Sequence, residues 1–284
     1  MIRVDSLRYT YPKGRLPAVE DLSFEVHAGE VFGFLGPSGA GKSTTQNILI
    51  GLIDGWRGTV EILGRPLREW DNEYYREIGV SFEQPNHYLK LTVRENLELF
   101  RALHGKHAEE VEAVLTLVDL QDAVDVRVGR LSKGMQHRLT FVRSLLHRPR
   151  LWFLDEPTAG LDPVNARRIV EIVEDQRGRG VTTFLTTHDM VVANRLCDRV
   201  AFIVDGNIEV IDTPRSLRHR YGSRDVHVTW EGEGGSESAS FPLDGLADDP
   251  AFHVALRNHR IESIHSQETT LEEVFIRVTG RELR

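Results

Sequence analysis

The chain holds one cysteine, Cys197, in 284 residues. It has no partner for an internal disulfide and cannot supply a cysteine-based zinc site, which suits a reducing compartment. Lysine is scarce as well. Only Lys13, Lys42, Lys90, Lys106 and Lys133 are present, so arginine carries most of the 35 basic side chains, and no function follows from that bias. No apolar run approaches the length of about 20 residues that a membrane-spanning helix needs. The opening MIRVDSLRYTY has no apolar signal-peptide core. A net charge of -8 argues against a broad nucleic-acid-binding face, so no nucleic-acid partner is expected. These absences lead to the expectation of a soluble cytoplasmic protein that reaches a membrane only through a partner. What is present is 40% apolar and 27% charged residues, enough for a buried core and against wholesale disorder.

The first part of the chain alternates β-like runs with turns. Ile2 to Leu7 and Leu22 to Val26 read as an antiparallel lead-in. Val31 to Leu35 is a near-continuous apolar run, as a fully buried strand requires, and it ends at a glycine-rich turn. Lys42 to Ile53 then reads as a helix, and Thr59 to Leu63 and Ile78 to Phe82 as strands. From about residue 85 to 146 apolar residues fall at helical spacing, in Arg94 to His104, Ala108 to Val118 and Met135 to Leu146. This predicts a helical subdomain inserted into an α/β body. Strand and helix signals alternate again from Leu151 to Tyr221, with a hairpin around Asp205-Gly206. Residues 1–222 are therefore expected to form one domain and residues 223–284 a small α+β appendix. In the appendix, 231–240 is rich in Gly, Ser and Glu and reads as a mobile loop. Leu271 to Val278 reads as a closing amphipathic helix.

Gly36-Pro37-Ser38-Gly39-Ala40-Gly41-Lys42-Ser43 matches G-x-x-x-x-G-K-[ST], followed by Thr44. The glycines let the backbone curl so that several N–H groups face phosphate oxygens. The helix N-terminus that follows adds partial positive charge. Lys42 can reach the β- and γ-phosphates, and the Ser43 hydroxyl can ligate Mg²⁺. Further on, Leu151-Trp152-Phe153-Leu154 runs into Asp155 and Glu156. A buried parallel strand delivers both carboxylates to the edge of the sheet where ligands bind in open α/β folds. Asp155 is suited to hold Mg²⁺, and Glu156 to take a proton from an attacking water.

Between these two sites stands Leu131-Ser132-Lys133-Gly134-Met135-Gln136. It resembles the LSGGQ signature of the ATP-binding-cassette (ABC) ATPases, with Lys133 and Met135 as departures. The order of motifs is also that family's: phosphate loop, helical insert, signature, acidic strand, then Ala159-Gly160-Leu161-Asp162 and Thr187-His188-Asp189. The resemblance covers residues 1–221 and implies a P-loop NTPase fold of the ABC class. It further implies a head-to-tail dimer in which each ATP lies between Lys42 of one chain and Ser132, Gly134 and Gln136 of the other. His188 resembles the switch histidine that bonds the γ-phosphate, and Asp162 the aspartate that links the two sites. Tyr11 resembles the aromatic that stacks on adenine, in preference to Tyr9. Histidines elsewhere, His87 and His137 among them, read as surface or packing residues.

One departure concerns a glutamine that the family places nine residues before the Thr of an LTVREN-like block. Counting back from Thr92 gives Glu83, with Gln84 as the alternative. A carboxylate is a good hard-oxygen ligand for Mg²⁺. It also adds a third negative charge beside Asp155 and Glu156, which raises the pKa of a neighbouring carboxylate unless Mg²⁺ is bound. The family resemblance implies ATP and Mg²⁺ as cofactors. As partners it implies polytopic membrane permease subunits and a second copy or a homologous ATPase subunit. Their docking groove is expected near Glu83 to Phe100, with Tyr88, Leu89 and Leu91 as candidate lining. Leu271 to Leu283 resembles the tail of ATPase subunits that serve bacterial ABC-2-type exporters, which favours export. An ABC importer ATPase and a soluble ABC clamp are the competing readings. The transported molecule is not encoded here.

Overall fold

A computed structural model describes residues 1–104, 108–232 and 234–282. The chain divides into two units, Met1–Thr213 and Pro214–Glu282.

In chain order the first unit runs β1 (Ile2–Tyr9), β2 (Val19–Val26), β3 (Val31–Leu35), α1 (Lys42–Leu49), β4 (Arg57–Ile62), β5 (Arg65–Pro66), α2 (Tyr74–Glu77) and β6 (Ile78–Ser81). It continues through α3 (Val93–His104), α4 (Val111–Leu117), α5 (Lys133–Arg143), β7 (Leu151–Asp155), α6 (Pro163–Gly178), β8 (Thr182–Thr187), α7 (Met190–Leu196), β9 (Arg199–Val204) and β10 (Asn207–Asp212). Six strands form the central sheet in the order β10-β9-β3-β8-β7-β6, and only the β9–β10 pair is antiparallel. The lead-in strands form a separate antiparallel sheet in the order β2-β1-β4-β5.

The two sheets share one core. Every residue of β3 is buried, as its unbroken apolar run requires. The Phe32 ring stacks 5.7 Å from Phe24 of β2, and Phe34 lies 5.4 Å from Phe184 of β8. Each such phenylalanine contributes about 1.5–3 kcal/mol by leaving water. This aromatic layer fixes the level of β3, and with it the turn that leaves its C-terminal end.

Helix α1 stops at Leu49 rather than at Ile53, because Gly51 turns the chain at φ 79°. Residues 85–146 carry α3, α4 and α5, and one isolated bridge, Thr92 to Arg127.

The second unit holds α8 (Pro214–Tyr221), β11 (Arg224–Gly232), β12 (Gly235–Pro242), α9 (Pro250–Asn258), β13 (Ile261–Glu268) and α10 (Leu271–Thr279). Its boundary falls at Pro214 rather than after 222, because α8 packs with α10. Arg277 donates to the Tyr221 carbonyl at 2.5 Å, and Ser223 N–H donates to Thr269 Oγ1 at 2.8 Å. The stretch 231–240 is not the expected loop. Its described residues belong to a β11–β12 hairpin, with Glu231 opposite Ser236 and Gly232 opposite Gly235. Backbone pairing with the central strand β11 overrides the loop-like composition, and Gly235 supplies the φ of 128° that the turn needs. Glu233 in this stretch and Leu283 in the tail lie outside the described residues. Helix α10 starts on a capping box between Thr270 and Glu273.

Candidate functional site

The phosphate loop leaves β3 at Gly36 and enters α1 at Lys42. Two of its glycines cannot be replaced without moving the backbone. A Cβ on Gly36 would lie 2.2 Å from the Ile203 carbonyl oxygen. At Gly41 it would lie 2.5 Å from the Ala18 carbonyl oxygen, at a φ of 105° that side chains rarely adopt. Ala40 closes the loop, receiving Gly206 N–H on its carbonyl at 3.0 Å. Pro37 is half-buried, while Ser38 and Gly39 stand exposed at the tip. Lys42 is buried, and its Nζ donates to the carbonyls of Gly36 at 2.6 Å and Pro37 at 3.0 Å. Burial pulls the ammonium below the ordinary lysine range, while the charges of Glu156, Asp155 and Glu83 pull it back up.

The acidic end of β7 stands directly opposite β8, with Asp155 in register with Thr186. The Thr186 hydroxyl donates to Asp155 Oδ1. The next hydroxyl, on Thr187, donates to Glu156 Oε2 at 2.9 Å. Glu156 is 7% exposed and sits at φ 46°, a backbone setting unusual for a non-glycine residue. His188 Nδ1 lies 2.7 Å from Glu156 Oε1. Asp189 then caps α7, accepting from Val191 and Val192 N–H. Parallel pairing thus brings two carboxylates, two hydroxyls and an imidazole to the C-terminal edge of adjacent strands.

Asp155 is held above the usual carboxylate range, first by burial. Glu83 adds to the rise, while Thr186, Lys42 and Ser43 oppose it. Ser43 thus favours the charged form of Asp155, and Glu83 acts on both Lys42 and Asp155. Ser43, Asp155 and Glu83 are hard oxygen donors with an excess of negative charge, a set that suits a small divalent cation. Among the described residues no three His, Cys, Asp or Glu side chains form a metal cage. A cation here would therefore complete its shell with phosphate and water oxygens, as Mg²⁺ usually does. Glu83 and its alternative Gln84 are both exposed.

Tyr11 is 44% exposed, and its hydroxyl lies 3.2 Å from Thr44 Oγ1 at the start of α1. Tyr9 packs edge-on against it, 5.0 Å away, from within β1. The ring left open beside the phosphate loop is therefore that of Tyr11.

Ser132 is the N-cap of α5, accepting Met135 N–H at 3.2 Å. Gly134 follows in the first turn, and a Cβ there would lie 3.7 Å from Leu161. That contact sets the signature segment beside the turn that carries Asp162. Asp162 itself caps α6, accepting from Val164 and Asn165 N–H, both at 3.1 Å. Gln136 does not project freely. Its side-chain amide donates to the carbonyls of Val128 and Leu131, at 3.3 and 3.2 Å.

Sequence reasoning passed over a network that joins these parts. The Thr140 hydroxyl of α5 lies 2.9 Å from His87 Nε2, which is also 3.1 Å from the Gln136 carbonyl. Burial, followed by the nearby Arg143, lowers the His87 pKa to about 4. Arg143 donates to both the carbonyl and the side-chain oxygen of Asn86. The segment just after Glu83 is thus tied along α5, the helix that begins at the signature. His137 is buried, as a packing residue. The only advance signal for the threonines was the polar character of TTFLTT, an otherwise fully buried strand.

Residues 19–159 match the ABC transporter family, and residues 224–268 match the fluoroquinolone efflux ABC transporter C-terminal domain. A fluoroquinolones export ATP-binding protein of Mycobacterium tuberculosis (strain CDC 1551 / Oshkosh) is 54% identical over the whole chain and 94% of its own length. The chain belongs to the ABC transporter family. It is an ABC ATPase, the ATP-binding subunit that hydrolyses ATP for transport. Nod factor export ATP-binding protein I of Rhizobium meliloti (strain 1021) is 34% identical over the whole chain and 90% of its own length. Among solved structures, a dimeric post-hydrolysis ATP-binding cassette bound to ADP and Pi is similar at a TM-score of 0.69 and 27% identity. It matches over 75% of this chain and 98% of that one. Among the described residues no helix is long and apolar enough to cross a membrane.

Proposed function

We propose that this chain powers an exporter, by closing and reopening a head-to-tail dimer around two ATP molecules. The observation that carries the reading is the convergence of Lys42, Asp155, Glu156 and His188 at one edge of the sheet. In this assignment the loop from Gly36 to Thr44 wraps the phosphates, and Tyr11 stacks on the adenine. Ser43 and Asp155, with Glu83, hold Mg²⁺, which when bound offsets phosphate charge. Glu156 takes the proton of the attacking water. Thr187 fixes one oxygen of that carboxylate and His188 approaches the other, so the base is oriented before substrate arrives. His188 then offers Nε2 to the γ-phosphate.

Ser132 and Gly134 of a second copy, or of a homologous subunit, cover the same phosphate from the other side. A helix N-terminus suits that task. Gln136 supports the signature segment through its bonds to Val128 and Leu131. Asp162 shapes the adjoining turn.

Export rather than import is favoured by the named export relatives and by the match of the C-terminal unit to an efflux domain. Substrate choice belongs to polytopic membrane subunits, which hold the chain at the cytoplasmic face. Tyr88 and Leu89, 57% and 54% exposed, are apolar residues left open on the side where such a partner is expected. The test is isolation of the tagged chain from gently solubilised native membranes, with partners identified by mass spectrometry. A stoichiometric polytopic membrane protein supports the reading. Recovery only from the soluble fraction, on ribosomes or alone, contradicts it and favours a soluble clamp.

A further inference from the structure

A helix leaves its last four carbonyls without helical partners. At the end of α4 the Leu115 carbonyl takes the N–H groups of Val118 and Leu120, at 3.2 and 3.1 Å. The next three carbonyls are taken by guanidinium groups of two other helices. Arg168 of α6 donates to Thr116 at 3.2 Å and to Leu117 at 2.6 Å. Arg138 of α5 donates to Val118 at 2.5 Å. Cations suit the negative end of a helix.

Asp119 completes this cap. It follows the helix at φ 51°, a left-handed turn that Asp tolerates better than most residues. A carboxylate at a helix C-terminus is opposed by the helix dipole. Arg168 offsets that charge through an ion pair with Asp119. The pair is partly exposed, so its charge contributes little to stability by itself. Its effect is geometric: one guanidinium meets two carbonyls and a carboxylate, and so fixes α6 against the end of α4.

The two arginines occupy matching places on their helices. Arg138 lies six residues after Ser132, the N-cap of α5, and Arg168 lies six after Asp162, the N-cap of α6. The two helix starts also stand side by side, since a Cβ on Gly134 would lie 3.7 Å from Leu161. Burial pulls the Arg138 guanidinium below the ordinary arginine range, and the charge of Asp162 pulls it back up. The starts of α5 and α6 are thus fixed to each other at their tips and again about two turns further in. The end of α4 is the shared anchor.

We propose that Arg168 is a positioning residue for ATP-driven closure: through the end of α4 and Arg138 it holds Ser132 and Gly134 level with the Asp162 turn, so that both meet a second copy together. This rests on the head-to-tail reading and adds to it a residue that acts through others. Arg168 lies on the far side of α4 from no phosphate group of its own chain's loop, and its contacts are all with α4 and Asp119. Its loss therefore acts across the dimer and spares the nucleotide held by the chain's own Lys42.

The test uses the whole chain in a Glu156→Gln background, with MgATP-driven dimerisation followed by analytical ultracentrifugation. MgADP binding to the single chain reads its own phosphate loop separately. Arg168→Met keeps the aliphatic stem and removes the guanidinium. The expected result is dimerisation weakened by about tenfold or more, with MgADP affinity equal to that of the parent. Arg168→Lys keeps the charge but not the fork, and should fall between the two. If Arg168→Met does not fold, Asp119→Asn breaks only the ion pair and should weaken dimerisation in the same direction. Dimerisation equal to the parent's, even with earlier melting, overturns the positioning role and leaves the head-to-tail reading standing. An equal loss of MgADP affinity also overturns it, since the effect would then lie on the chain's own site. Absence of any MgATP-driven dimer in the Glu156→Gln parent removes both.

Discussion

His188 Nδ1 and Glu156 Oε1 meet at 2.7 Å, in a site where Thr187 holds the other carboxylate oxygen at 2.9 Å. The carboxylate is buried and the imidazole is largely open to solvent. One group is therefore fixed and the other is placed to meet a ligand.

His188→Ala should leave ATP binding nearly intact and lower turnover about 10²- to 10⁴-fold, the usual range for a positioned proton-transfer group. Nucleotide titration and steady-state hydrolysis measure the two effects separately. A large loss of affinity with unchanged turnover would contradict the assignment.

Thr187→Val keeps the shape of the strand but removes the donor to Glu156. A buried acceptor left unpaired costs about 1–3 kcal/mol. The variant should melt at lower temperature and turn over more slowly than wild type. Thr187→Ser, which keeps the hydroxyl, should recover most of both.

Glu83→Gln removes one of the charges that raise the Asp155 pKa. The expected outcome is hydrolysis that depends less steeply on Mg²⁺ concentration. An unchanged Mg²⁺ dependence would show that Glu83 does not act on the cation site.

Stability should fall on acidification below about pH 6.5, the ordinary histidine value. His87 and His147 are both lowered to about 4, chiefly by burial, with Arg143 acting on His87 and His104 on His147. Between those values the unfolded chain binds protons that the folded chain refuses. Their contribution is complete above about pH 6.5 and is lost as pH falls towards 4. Urea midpoints measured from pH 7.5 to 4.5 check this. His147→Gln should flatten the decline if His147 is one of its sources.

The central sheet was legible because its signals are local. The run Val31 to Leu35 and the acidic end of β7 carry their own burial pattern, and the phosphate loop carries its own glycines. Tyr11 stands directly before Pro12, and the Thr44 contact gives its ring a position beside the loop that Tyr9 lacks. The C-terminal unit was less legible. The run of Gly, Ser and Glu over 231–240 has the composition of a loop, and only pairing with β11 makes strand of it. Helix α9 had a readable start, Asp249 before Pro250, with Asp249 accepting from Ala251 and Phe252 N–H. The His87 network was out of reach, since residues 53 apart in the chain, His87 and Thr140, meet only through tertiary packing.

Glu156→Gln is the most direct measurement. The amide keeps the size and most hydrogen bonds of the carboxylate but cannot take a proton from water. The variant should bind ATP as wild type does, lose at least about 10²-fold in turnover, and accumulate as a dimer with MgATP on size-exclusion chromatography. Wild-type turnover in Glu156→Gln would contradict the account.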